Sequence, residues 1–322
     1  MAQRRIHDDE VRGAGERSGS LLRSRRRRVR LLIGALLVFV LLVVGIPIAW
    51  IGHRAHRAAQ VREVAKLVES LGGDIYYQVC LAGGPPIRSW LDPPGPEWLT
   101  RTFGEHLFLE PVKLNLDRTN VTDADLRCLK ELSSLQGFSA WDTRISDRGM
   151  EYVGDLTALQ DLGLYGTPVG DDGIAHISKL HDLRHLWLGE TPITDASLSD
   201  LANLTKLKSL DLNGTNITDA GLKHLRRMQD LELLVLGQTA ITNSGLAHLR
   251  ELHSLRILGL RNTRVDNRGL AHLEQLENLE ELRVVGTGVT ADGIEELDAK
   301  LPKSVLHDLP YQGGERGNEI GP

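Results

Sequence analysis

Aromatic side chains are scarce in this chain, at 4% of 322 residues, and cysteine is scarcer still, with two. Two cysteines exclude a disulfide-framework domain and a cysteine-rich zinc site, each of which needs more. There is no P-loop, no dinucleotide fingerprint, no His-Glu-x-x-His helix and no Ser/His/Asp order tied to a nucleophile elbow, so neither a cofactor nor an enzyme activity is expected. A basic excess is also missing: the formal net charge is −5. Residues 1–62 carry a net +9, which leaves −14 for residues 63–322. So acidic a main body argues against nucleic acid as its partner.

What is present is a period. Threonine occurs at 119, 143, 167, 191, 215, 239, 263 and 287, always 24 residues apart. Around Thr215 the chain places Leu207, Leu210 and Leu212 before it and Ile217, Leu222, Leu225 and Met228 after it. The pattern is LxxLxLxxTx[IV]TDxGLxxLxxL. Its first half alternates with period two and predicts a short strand; its second half spaces leucines by three and predicts about two helical turns. One such unit cannot cover its own apolar side. Stacked units bury a continuous core, at roughly 1.5–3 kcal/mol per fully buried Leu or Ile. The threonine hydroxyl is expected to tie the turn after each strand to the next coil's backbone. Thr194-Asp195 and Thr218-Asp219 suit helix starts, and the glycines at 149, 173, 221, 245, 269 and 293 leave room for tight stacking. Pro111 replaces a leucine in the first repeat, and Lys300 and Pro302 interrupt the last. Atypical ends are expected where a stack meets solvent.

Before the repeats, residues 31–51 (LLIGALLVFVLLVVGIPIAWI) carry no charge. As a helix they would span about 31 Å, near the thickness of a bilayer's hydrocarbon core. The rival reading, a cleaved signal peptide, needs a shorter run and a small-x-small site. Six arginines stand between 23 and 30, against Arg54, Arg57 and Arg62 after the run. The expectation is a single-pass membrane protein with a cytoplasmic N-terminus and extracytoplasmic repeats. The expected organisation is a disordered basic segment (1–30), a transmembrane anchor (31–51), a juxtamembrane helix with a Pro/Gly-rich linker (52–95), a cap helix (96–110), the repeats (111–303) and a disordered tail (304–322). Apolar residues at 58, 61, 64, 65, 68 and 71 carry the helical spacing of the juxtamembrane part, up to Gly72-Gly73.

These repeats resemble the leucine-rich-repeat superfamily. The TxITDxGLxxL form is similar to bacterial repeats of the internalin-like type and to those of F-box-type ubiquitin-ligase receptors. The layout, with Gly72-Gly73-Asp74-Ile75-Tyr76-Tyr77 and PGPEWLTRTFGEHLF at 94–108 ahead of the repeats, resembles anchored bacterial leucine-rich-repeat proteins of unassigned function. The resemblance implies an α/β leucine-rich-repeat solenoid of eight 24-residue strand–helix repeats with a parallel concave sheet, here with an N-terminal transmembrane helix.

In such a solenoid the residues between strand leucines face outward. Two places before the threonine these include Asp117, Trp141, Tyr165 and Gly189, and four places before it Asn115, Ser139, Gly163 and Trp187. Against the scarcity of aromatics, three in consecutive repeats stand out. Trp141, Tyr165 and Trp187, with Asp161 and His185 beside them, form the candidate site for a protein, peptide or glycan ligand. The competing reading is that the rings pack on one another or on the cap. Leu233, Val235 and Ile257 form a second outward apolar strip. His176, His224, His248 and His272 share a column, but one imidazole per coil along a line makes no tetrahedral cluster, so no metal is expected. A disulfide between Cys80 and Cys128 would staple the linker to the first repeat. The functional expectation is a membrane-anchored binding module. The alternatives are a structural scaffold of the cell envelope or a ubiquitin-ligase-type substrate receptor.

Overall fold

The computed structural model describes residues 46–79 and 109–308. The chain divides into two compact units, 1–57 and 58–322. In the first unit the described residues begin helix α1 (Ile46–Leu71), where the Arg54 guanidinium lies 5.5 Å from the centre of the Trp50 ring. The expected transmembrane helix at 31–51 has to be corrected. Among the described residues no helix is long and apolar enough to cross a membrane. The longest helix among the described residues is α1, and from His53 onward it carries Arg54, Arg57, Arg62, Glu63, Lys66 and Glu69, each costly to place in hydrocarbon. Residues 31–45 lie outside the described residues, as do the basic segment 1–30 and the linker 80–95.

Among the described residues, the second unit is built on one sheet whose ten strands follow chain order. They are β1 (Asp74–Val79), β2 (Leu109–Asn115), β3 (Gly137–Ser139), β4 (Asp161–Gly163), β5 (His185–Trp187), β6 (Ser209–Asp211), β7 (Leu233–Val235), β8 (Ile257–Gly259), β9 (Glu281–Arg283) and β10 (Leu306–His307). The returning segments hold helices α2 (Asp147–Val153), α3 (Asp171–Ile177), α4 (Asp195–Leu201), α5 (Asp219–Leu222), α6 (Asn243–Leu246), α7 (Asn267–Leu270) and α8 (Ala291–Asp298). Tighter helical segments, with about three residues per turn, take their place or extend them at Asp125–Glu131, Lys223–Arg227 and Ala271–Leu273.

From β2 onward the pairing is parallel, and from β2 to β9 it steps by 24 residues, so Phe138, Leu162, Leu186, Leu210, Leu234, Leu258 and Leu282 sit in register. Each is the middle residue of its three-residue strand and is buried. Period-two alternation therefore sends the residues on either side of it to the open face of the sheet.

The threonine ladder works differently from the expectation. Each ladder hydroxyl donates to the carbonyl three residues earlier in its own coil, as from Thr215 to Leu212 (2.7 Å) and from Thr239 to Leu236 (2.6 Å). The hydroxyl closes its own turn and does not bridge to the next coil. That turn also holds the residue before each threonine at positive φ: Arg118, Asp142, Glu190, Gln238 and Asn262, with Gly166, Gly214 and Gly286. In this conformation the N–H of Asp142 reaches the Tyr165 carbonyl of the next coil (2.8 Å), and the other coils repeat the bond.

The side-chain link between coils is made four residues after the threonine. Asp195 accepts the N–H (2.8 Å) and hydroxyl (2.6 Å) of Thr218, and Asp219 does the same for Thr242 (2.8 and 2.5 Å). In the sixth coil an amide replaces the carboxylate. Asn243 accepts the Asp266 N–H (2.9 Å) and donates to the Asp266 carboxylate (2.8 Å). This rung explains the helix glycines: a Cβ on Gly269 would stand 2.5 Å from Asn243 Oδ1.

Both ends of the core are closed by irregular pieces. At the start, Val61, Val64, Ala65 and Val68 of α1, with Ile75 and Tyr77 of β1, join the same apolar cluster as Leu114, Leu116 and Leu126. β1 runs antiparallel to β2, and its register shifts between Tyr76 and Tyr77, opposite Pro111, which has no N–H to donate. The cap was expected in a helix at 96–110. Of that segment, 96–108 lie outside the described residues, and Leu109 and Glu110 are strand. At the far end, residues 304–308 of the expected disordered tail are built into the fold. β10 pairs with β9, and Asp308 Oδ1 accepts the N–H groups of Val284 (2.6 Å) and Val285 (3.1 Å) while its other oxygen pairs with Arg261. Residues 309–322 lie outside the described residues.

Candidate functional site

The open face of β2–β5 carries a groove of about 400 Å³. Its floor is the row of small or short residues Gly137, Ser139 and Gly163, and its walls are Trp141, Trp187, Tyr76 and Lys113. Small residues are what let the rings lie flat: a Cβ on Gly163 would collide with Trp141 Nε1, and one on Gly189 would stand 2.6 Å from the Tyr165 ring.

The three aromatics expected to meet do meet. Trp141 lies 6.1 Å from Tyr165 at 52° and 6.3 Å from Trp187 at 63°, centre to centre. His185 stacks on Trp187 at 5.8 Å and 20°. The rings pack on one another and still present a surface. Trp141 remains 37% exposed, whereas the residues of the core beneath it are near zero.

Polar groups hold the arrangement. Asp117 Oδ1 accepts the Trp141 backbone N–H (2.8 Å) and the Ser139 hydroxyl (2.5 Å), and Asn115 is bonded to Asp117 through both its amide atoms (2.9 and 3.0 Å). Asp161, opposite His185 across the β4–β5 pair, forms an ion pair with Lys113 (3.0 Å). Beyond Tyr165 the face turns acidic. The Tyr165 phenol is pushed above the ordinary tyrosine range by burial and then by Glu190, Asp211 and Asp142. The Asp211 carboxyl is raised by burial against the opposing pull of the Asn213 N–H, with Glu190 adding to the rise. The groove is thus an aromatic strip with a lysine at one rim and carboxylates at the other.

Tyr76 and Lys113 were not singled out in the sequence. The antiparallel pairing of β1 with β2, which sets Tyr76 opposite Lys113, was not legible there. Leu233, Val235 and Ile257 lie half-buried on β7 and β8, further along the same face. Cys128 packs against the core, and burial pushes its thiol up to about 11; Cys80, its expected disulfide partner, lies outside the described residues. Among the described residues no group of three or more His, Cys, Asp or Glu side chains is placed to hold a metal ion.

Comparison with known proteins agrees with this architecture. Residues 181–224 match the family model described as Leucine Rich repeats (2 copies). No curated protein matches the chain. Among solved structures, an internalin C2 from Listeria monocytogenes superposes with a TM-score of 0.53 at 24% identity, covering 62% of this chain and 80% of that one. An internalin (inlF) from the same organism covers 57% of this chain and 70% of its own at 21% identity, with a TM-score of 0.36, too low to bear on the fold. The family model matches two of the repeats, and the likeness to internalin C2, at 24% identity, shows a shared leucine-rich-repeat fold.

Proposed function

We propose that this protein is a binding module whose ligand is another protein, docked on the open sheet face across Trp141, Tyr165 and Trp187. The repeats themselves suggest a protein-binding module. The observation that carries the finer reading is the aromatic strip: Trp141, 37% exposed, lies between Tyr165 at 6.1 Å and Trp187 at 6.3 Å, centre to centre, in a chain with few aromatics. Large, rigid, partly exposed rings ringed by polar groups have the composition of an interface hot spot, and each brings much contact area at small entropic cost. The activity proposed is recognition and not chemistry. The polar groups of the groove are bonded to one another, which suits a preformed surface.

The test is affinity capture with the wild-type protein and with the Trp141→Ala/Trp187→Ala variant, compared quantitatively. The proposal requires captured proteins that depend on the two rings. An identical set captured by both, with the variant folded, would remove it.

A further inference from the structure

We propose that the helix side of the fifth and sixth coils, those of Thr215 and Thr239, is a second docking surface, and that its occupant is a short acidic peptide segment. Two connected grooves lie there. One, of about 590 Å³, is lined by Ser199, Asn203, Lys223, His224, Arg226 and Arg227, over Ala202. The other, of about 240 Å³, is lined by Arg226, His248 and Arg250, over Ala247. Both share the Glu251 wall. Lys223, Arg226, Arg227 and Arg250 are exposed, and both histidines are partly so.

The charge balance sets this surface apart from the rest of the helix side. Several cations of other coils meet a carboxylate one coil away: Lys179 with Asp155 (2.9 Å), Lys206 with Asp182 (2.7 Å), Lys300 with Glu274 (2.7 Å). In the grooves one carboxylate, Glu251, serves both Arg226 (3.1 Å) and Arg250 (3.6 Å). Among the described residues Lys223 and Arg227 make no ion pair, and Arg227 has only the neutral Asn203 amide at 3.4 Å. Like charges held this close repel one another, and a bound anion would relieve that.

The size of the patch decides which anion. Strands in a sheet repeat at roughly 4.8 Å, so two to three coils span about 10–15 Å, little more than a Debye length of about 8–10 Å at moderate salt. Carboxylates flank it on both sides, Asp172 and Asp182 toward the start and Glu274, Glu277, Glu295 and Glu296 toward the end. A nucleic acid duplex or an anionic membrane would press on those flanks. A few side-chain carboxylates on an extended segment fit between them, and arginine pairs with carboxylates through two parallel N–H bonds.

The experiment uses the full chain and fluorescein-labelled hexaglutamate, followed by anisotropy at low and moderate salt. The wild type should bind it saturably at one peptide per chain. Lys223→Glu/Arg227→Glu should weaken binding about tenfold or more, since two attractions of surface-pair size become repulsions. Arg144→Glu/Arg148→Glu, an equal charge change on exposed residues elsewhere, should leave it within about twofold, and Trp141→Ala/Trp187→Ala should leave it unchanged. Equal weakening by the two charge-reversal pairs would show a net-charge effect and overturn the site. So would binding of heparin or phosphatidylglycerol vesicles in place of the peptide. Sedimentation showing self-association that Lys223→Glu/Arg227→Glu abolishes, with no peptide bound, would assign the patch to a second copy and overturn the peptide.

Discussion

The rung between the sixth and seventh coils offers a double-mutant test of how these coils are held together. Asn243→Ala removes two hydrogen bonds to Asp266, at 2.9 and 2.8 Å, and leaves the Asp266 N–H without its acceptor. At roughly 0.5–1.5 kcal/mol each, the loss is about 2 kcal/mol. Gly269→Ala should gain about 1 kcal/mol from helix propensity. Its Cβ, however, falls 2.5 Å from Asn243 Oδ1, so Asn243 must swing away and lose the same bonds, for a net destabilisation of about 1 kcal/mol. In the double variant the obstruction is gone and the propensity gain returns. The double variant should therefore be more stable than Asn243→Ala alone, with a coupling of about 2 kcal/mol between the two sites. Urea unfolding of the four proteins followed by circular dichroism measures it. Costs that simply add, within about 0.5 kcal/mol, would refute the assignment of the glycine column to the rung.

Three further outcomes are expected. Asp308→Ala releases the two backbone N–H groups just after β9 and the Arg261 pair at the end of the sheet; it should cost about 2–3 kcal/mol and speed hydrogen exchange at Val284 and Val285. The Asp266 carboxyl is held below the usual carboxylate range, first by the Arg268 N–H and then by the Asn243 amide, against burial. Because its folded-state value is depressed, its contribution to stability is full above the ordinary carboxylate pKa and disappears as pH falls through the depressed value. Asp266→Asn should flatten that part of the acid limb of urea midpoint against pH, and an unchanged limb would contradict the assignment. Gly163→Ala places a methyl group where Trp141 Nε1 now lies; it should displace the ring and weaken partner binding while costing under about 1.5 kcal/mol of stability, read from binding and melting curves side by side.

The repeat was legible because one set of residues does one task eight times, and 24-residue phase survives any single substitution. Which residue does which task was less legible. The ladder threonine and the following Asp or Asn are both small, polar and periodic, and only their directions in space show that the first bonds its own coil and the second bonds the next. The left-handed turn residue escaped because Arg118, Asp142, Glu190, Gln238 and Asn262 share no side chain, only a φ near +55° imposed by the coil. Non-repeating parts had no such redundancy. The core is closed by α1 and β1, whereas the segment expected to close it reaches the described fold only as the strand residues Leu109 and Glu110. The aromatic strip could be found because strand alternation and the 24-residue ruler fix which side chains share a face. Tyr76 could not, since its position depends on an antiparallel register and a bulge. The apolar run at 31–51 read as a membrane span on composition alone, and the charges borne by α1 from His53 onward show how far beyond that run the described helix extends.

The central claim is that Trp141 and Trp187 carry recognition on the open sheet face. The most direct measurement is the affinity of a purified captured partner for the wild type and for Trp141→Ala/Trp187→Ala, by titration calorimetry. Hot-spot aromatics cost about 2 kcal/mol each on truncation, so a loss of about a hundredfold or more is predicted, with the melting transition retained. An unchanged affinity in a folded variant would contradict the claim.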